Sequence, residues 1–340
     1  MTSGSRLRRG GIAAALAATL AVALAVGFVT ARASAAPELP PVTPEELVAS
    51  VLDAEPVALA GTVAVDNRLG LPAVPGVPGE GLTDGTSTAR VWSDGAGRGR
   101  LALPRPDGER TYVRDGTTVW AYDSADRTAT RTPAGADRRP EPGQDPQAAA
   151  QGIVGKLRGT SAVRVDGTTD VAGRPAYTLV LAPQPGERTV LREVRVAVDA
   201  ESRIPLELTV RGTGPDPVLR AGFDDVTFGP QDPSLFTFTP PPGATVEEKP
   251  APEHRPRSGS AVKPRIVGDG WDAVAVGPLP RHAGDGVRKP DLSALGTPVS
   301  GPWGSGRAIT TNAGSAILTD DGRFATGAVG TDVLGAALAR

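Results

Sequence analysis

The sequence predicts a mainly β protein of α+β type. A strongly curved antiparallel sheet forms an incomplete barrel with plugging helices, and a small C-terminal β-rich domain follows. Three observations predict it. Glu109 to Ser124, ERTYVRDGTTVWAYDS, sets two runs of alternating β-formers on either side of Asp115-Gly116, the strongest short-range hairpin signal. About eleven such runs follow one another, each bounded by Gly, Pro or Asp, which is near the roughly ten strands an open sheet reaches before it curls. Two helix-start signals, at Thr43 and Asp145, supply elements to cover one mouth.

The first 35 residues read as targeting sequence. Arg6, Arg8 and Arg9 form a basic start, Gly11 to Thr30 is almost wholly apolar, and Ala33-Ser34-Ala35 fits a small-residue cleavage site. The apolar run is also long enough to span a bilayer, so a cleaved signal peptide and an uncleaved N-terminal anchor both fit. Either way the protein is expected outside the cytoplasm, in the cell envelope or secreted.

Thr43-Pro44-Glu45-Glu46 opens a helix with Thr43 as N-cap, Pro44 in its first position and Glu46 completing a capping box. Leu47, Val48, Val51 and Leu52 give it one apolar stripe to set against the sheet. Leu59 to Leu69 is the first strand. A Pro/Gly-rich loop from Gly70 to Gly85 carries Leu71, Val74 and Val77, apolar residues that suit a flap over an apolar cavity or a loop packing on its own domain. Strands follow at Thr86–Ser93, Arg98–Leu103, Glu109–Arg114, Thr117–Tyr122 and Arg127–Thr132. After a second helix, Asp145 to Leu157, the meander resumes at Ala162–Val165, Pro175–Leu181, Val190–Val198, Leu206–Val210 and Val218–Phe228. Asp232 to Val246 closes the domain.

Residues 36–246 are thus one β domain, 247–265 a Pro-rich charged linker, and 266–340 a small domain. In the last, Trp271–Val276, Ile309–Thr311, Ser315–Thr319 and Arg323–Val329 read as strands and Thr331–Leu338 as a helix.

Composition excludes several classes of function. There is no Cys, so disulfides, thiolate zinc sites, Cys nucleophiles and N-terminal lipidation are ruled out. The formal net charge is −2, and more negative once the four Arg of the first 35 residues are set aside. That argues against nucleic acid as a polyelectrolyte partner. The two imidazoles, His254 and His282, sit beside Pro, Gly or Arg in the linker and a loop. Asp224-Asp225 are neighbours that a strand would point to opposite faces. Asp320-Asp321 lie at a turn, where Asp bonds its own backbone. Gly95 to Gly99, GAGRG, precedes a strand and not a helix, so it lacks the setting of a phosphate loop. No acid, base and nucleophile can be placed together, no cofactor is expected, and the protein reads as a non-enzyme rather than an exported hydrolase.

Two motifs carry a family resemblance. VRDGTTVWAYDS resembles the DG-x-x-x-W-x-Y hairpin of LolA-type lipoprotein carriers, and DPSLFTFTPPPGATV resembles the F-x-F-x-P-P-x-G segment that ends the same domain. The likeness spans Pro44 to Val246. It implies an incomplete β-barrel with a helical lid over an apolar cavity that holds acyl chains, and lipid or an acylated lipoprotein as partner. The same domain, followed by a small C-terminal one, occurs in RseB/MucB-type regulators of envelope-stress sigma factors, which implies a membrane anti-sigma factor as the alternative partner. The carriers place a cavity Arg at the end of their second strand; here that position reads Ser93-Asp94-Gly95, so no such Arg is carried over. By strand alternation Trp92, Leu101, Leu103, Trp120 and Tyr122 are the candidates to line the cavity. For Trp120 and Tyr122, packing between sheet and helix is the competing role.

Overall fold

A computed structural model describes residues 38–71, 84–134, 146–250, 264–279 and 296–340. The N-terminal apolar run, His254, His282, Asp145, Val74 and Val77 lie outside the described residues.

The capping box forms as the spacing dictates. Helix α1, Pro44–Leu52, begins with the Glu46 main-chain N–H donating to the Thr43 hydroxyl at 3.2 Å, while the Thr43 main-chain N–H donates to the Glu46 carboxylate at 2.8 Å. These bonds from Thr43, main chain first, lower the pKa of Glu46. Replacing Thr43 by Ala is expected to cost about 1 kcal/mol. A lower urea midpoint at unchanged slope reports it, and an unchanged midpoint would show the box to be idle.

The large sheet holds β1 (Ala58–Asn67), β2 (Gly85–Asp94), β3 (Arg98–Arg105), β4 (Gly108–Asp115), β5 (Thr118–Asp123) and β6 (Thr128–Pro133) in one run. A second run comprises β7 (Ser161–Val171), β8 (Arg174–Pro183), β9 (Leu191–Asp199), β10 (Pro205–Gly212) and β11 (Pro217–Phe228). Each run is an antiparallel meander, and pairing of β1 with β11 joins them into one curved sheet that does not close. Its order is β12-β6-β5-β4-β3-β2-β1-β11-β10-β9-β8-β7, where β12 is Thr245–Glu248. The Asp115-Gly116 turn is as the motif requires: Gly116 has φ +95°, and the Thr118 N–H donates to the Asp115 carboxylate at 2.9 Å.

Helix α2, Pro146–Leu157, packs on α1 and on the β7 edge. Arg158, just past its end, pairs with Glu45 in the first turn of α1. Val154 is fully buried, whereas its neighbour Ile153 is 42% exposed. After β11, Asp232 caps a 3-10 turn, Pro233–Phe236, and the chain then runs beside β6 as β12. That pair is parallel, unlike the rest of the sheet, and it places Glu247 and Glu248 in a strand. A parallel partner can come only from a segment that has crossed the sheet, so local pattern gives no hint of it.

The second sheet has the order β13-β14-β18-β17-β16-β15. The strands are Arg265–Val267, Val274–Pro278, Thr297–Gly301, Gly304–Thr311, Gly314–Thr319 and Arg323–Gly327 for β13 to β18, with helix α3, Thr331–Leu338, after them. Trp303, Ile317, Ala325 and Leu334 lie in its core. β13 and β15 were not expected; they are short and mostly exposed edges with little alternation to read. Trp271 sits in a 3-10 turn, Gly270–Asp272, and not in a strand. The Glu187 carboxylate takes the main-chain N–H groups of Trp271 (2.9 Å) and Asp272 (3.2 Å) and so holds the turn.

Residues 39–340 form one compact unit, and the two sheets are bonded to each other within it. The Val190 N–H donates to the Ala328 carbonyl at 2.9 Å, the Asn312 N–H to the Leu69 carbonyl at 2.9 Å, and the Asn312 side chain to the Arg68 carbonyl at 2.7 Å.

Candidate functional site

Strand register sorts the side chains of the large sheet between two faces. One row runs Val65, Ala221, Leu208, Val196, Leu179, Val165 across β1, β11, β10, β9, β8 and β7. Its β7–β9 end is packed by Leu47 and Val51 of α1, so this is the helix-bearing face. On the other wing the same face carries the row Gly61, Val91, Leu101, Tyr112, Ala121, Thr130. Apolar residues therefore span the sheet on one face.

α1 covers only part of that face. Val63, Val65, Val91, Leu101, Leu103 and Val119 are half-buried, and Leu208 is 36% exposed. The fully buried positions of this wing, Ala102 on β3, Val113 on β4 and Ala129 on β6, alternate to the opposite face. This reverses the pattern of a filled core, where the large side chains on the helix side are the most buried. Beneath α1 lies a recess of about 110 Å³, walled by Leu47, Val51, Leu52, Leu179, Val196 and Val198. At the far end of β3–β5 the face turns polar, with Arg105 and Arg110 at 2.9 and 3.0 Å from Asp123. Burial works to raise the Asp123 carboxyl, but the Ala125 main-chain N–H and the two guanidinium groups outweigh it and hold it below its ordinary value.

The five expected cavity residues do not share one surface. Leu101 and Leu103 are on the helix-bearing face. Trp92, Trp120 and Tyr122 are on the opposite face, in the rows Trp92, Arg100, Val113, Trp120, Arg131 and Arg90, Ala102, Thr111, Tyr122, Ala129. There Trp120 and Tyr122 pack against Phe238 of the closing segment, with ring centroids 5.4 and 5.7 Å away. They take the packing role, though against that segment and not a helix. Trp92 stands between the guanidinium groups of Arg90 and Arg100, at 5.6 and 6.0 Å. Leu71, at the start of the expected flap, is 36% exposed.

Sequence reasoning missed the other half of the face, Val65, Val194, Val196, Val210 and Leu219. Its signal was present as simple alternation in β9 to β11, but nothing local said which parity met the helix.

The paired acids behave as local structure. Asp321 accepts from Arg323 Nε at 2.8 Å and from the Thr319 hydroxyl, which bring its carboxyl down to about 2. Asp224 and Asp225 sit at a register shift between β1 and β11, both exposed. Among the described residues no three His, Asp or Glu side chains are grouped as metal ligands, and no helix is long and apolar enough to cross a membrane.

No family profile and no curated protein matches the chain. Among solved structures the chain is similar to the MucA/MucB complex of Pseudomonas aeruginosa, at 17% identity over 86% of this chain and 94% of that one, with a TM-score of 0.43. It is similar to a LolA superfamily protein from Nitrosomonas europaea, at 12% identity over 58% and 99% of the two chains, TM-score 0.25. It is also similar to the Mycobacterium tuberculosis lipoprotein LppX, at 12% identity over 54% and 92%, TM-score 0.29. The open curved sheet with helices on one face is the fold that the resemblance of the two sequence motifs implies.

Proposed function

We propose that the protein is a non-enzymatic, extracytoplasmic carrier or sensor that holds the acyl chains of a lipid or lipoprotein against the helix-bearing face. The observation that carries this reading is the row of half-buried Val and Leu side chains that α1 leaves uncovered. Such a face gains about 25 cal/mol for each Å² of apolar surface removed from water, so a long alkyl chain needs no charged partner to bind it. Leu101 and Leu103 line the face in this reading. In this reading residues 36–246 form the binding domain and 266–340 a small second domain bonded to it.

Native mass spectrometry of the purified protein with added palmitate tests it. One or more bound chains are expected. Leu208→Arg, which places a charge in the row at an exposed point, is expected to lower uptake about tenfold or more. Arg100→Ala on the opposite face should leave uptake unchanged. Empty wild-type protein at saturating palmitate would overturn the reading.

The second sheet favours an additional reading, since the row that carries the acyl-chain reading lies wholly on the large sheet. In this reading the protein regulates an envelope-stress sigma factor through a membrane-bound anti-sigma factor; MucB, which the chain resembles in arrangement, has been solved in complex with MucA. Affinity capture of an anti-sigma factor that is lost on removal of the residues after Pro250 would support it. Capture unchanged by that truncation would count against a role for the small domain.

A further inference from the structure

We propose that the recess at the seam between the two sheets is a second apolar site, which takes the end of an unbranched alkyl chain. The inference rests on the acyl-chain reading above and assigns that chain a further contact, on the small sheet. The recess holds about 360 Å³, at the lower end of the ~300–1,000 Å³ of small-molecule sites. Leu157 at the end of α2, Leu181 and Leu191 from the large sheet, and Trp271, Ala273 and Ala328 from the second form its walls.

No charged side chain lines it, and two of its hydrogen-bonding pairs are closed on each other. Trp271 Nε1 donates to the Ser161 hydroxyl at 2.7 Å, and the Thr160 N–H donates to the Leu157 carbonyl at 3.1 Å. With the main-chain N–H of Trp271 on Glu187 as well, the indole is held at both ends, so the wall is preformed. The sheets touch at Gly270, whose φ is +64°; a Cβ there would lie 2.4 Å from Thr160. A charged occupant would lose its water against Leu and Trp without an ionic partner, whereas an alkyl terminus loses none. Leu181 is two residues along the same strand face from Leu179, which walls the recess under α1. A chain lying on the helix-bearing face therefore reaches the seam recess along that face.

The test is titration of the full chain with a fatty acid brominated on its terminal carbons, read by tryptophan fluorescence and by native mass spectrometry. Contact with bromine quenches indole emission. Quenching is expected in the wild type and should be largely lost in Trp271→Phe, while mass spectrometry still shows the bound chain. Ala328→Leu, which fills the recess, should lower uptake about tenfold. Uptake by the wild type with quenching unchanged in Trp271→Phe would overturn the seam site and leave the acyl-chain reading standing. No uptake by the wild type would overturn both.

Discussion

Asp199→Ala is expected to cost about 3–5 kcal/mol, the loss typical of removing one partner from a buried ion pair. Asp199 is fully buried at the end of β9. It accepts from Arg174 Nε at 2.7 Å and Nη2 at 3.0 Å, from the Ser202 N–H and hydroxyl at 2.6 and 2.9 Å, and from the Glu201 N–H at 3.0 Å. Arg174 in turn lies over the Phe228 ring at 4.6 Å. Alanine takes the buried acceptor from the Arg174 guanidinium, which keeps only the exposed Glu201 carboxylate at 3.0 Å, and leaves two turn N–H groups without theirs, against a total stability of roughly 5–15 kcal/mol for a domain.

The same site sets an acid limit. Burial acts to raise the Asp199 carboxyl, but the bonds from Arg174 and Ser202 prevail and bring it from 3.8 to about 2. A folded-state pKa below the unfolded one stabilises the fold above the unfolded value. Its contribution, roughly 2 kcal/mol, is complete near pH 5 and lost as pH falls toward 2. Urea unfolding at pH 7 and pH 3 checks both parts: the gap between wild type and Asp199→Ala should narrow at the lower pH. A gap under about 1 kcal/mol at pH 7 would show the pair to be dispensable.

Phe236→Ala should cost a similar 3–5 kcal/mol. Phe236 is 1% exposed, lies under the Arg98 guanidinium at 5.4 Å, and belongs to the 3-10 turn that packs on β3 and β4. Together with Phe238 on Trp120 and Tyr122, it fastens the closing segment to the sheet. Truncation leaves a cavity there and releases the segment that brings β12 to β6. Hydrogen exchange should then rise in 245–248 and 128–133 before the β8–β9 core. Uniform exchange across the sheet would mean that the closing segment does not act as a separate clamp.

Most of the architecture was legible because it is local. Asp-Gly at 115–116, the Thr43–Glu46 box and period-two alternation each act within a few residues of chain, and all three form as read. The candidate site was only half legible. Alternation grouped Trp120 with Tyr122 and Leu101 with Leu103 correctly, but one residue of register decides whether two such groups share a face. Ladder pairing of Trp92 with Arg100, and of Val91 with Leu101, put them apart. The closing segment is the other case: F-x-F marked its importance, yet only the folded chain shows both rings on the face opposite α1.

The sequence by itself determined most of the strands, the turns between them, the first helix and the absence of thiol chemistry, since each follows from side-chain shape and backbone preference over short spans. Only the tertiary structure decided which face α1 covers, that β12 lies parallel to β6, and that Trp271 joins the two sheets. Those depend on contacts between residues a hundred or more positions apart, which no local period encodes.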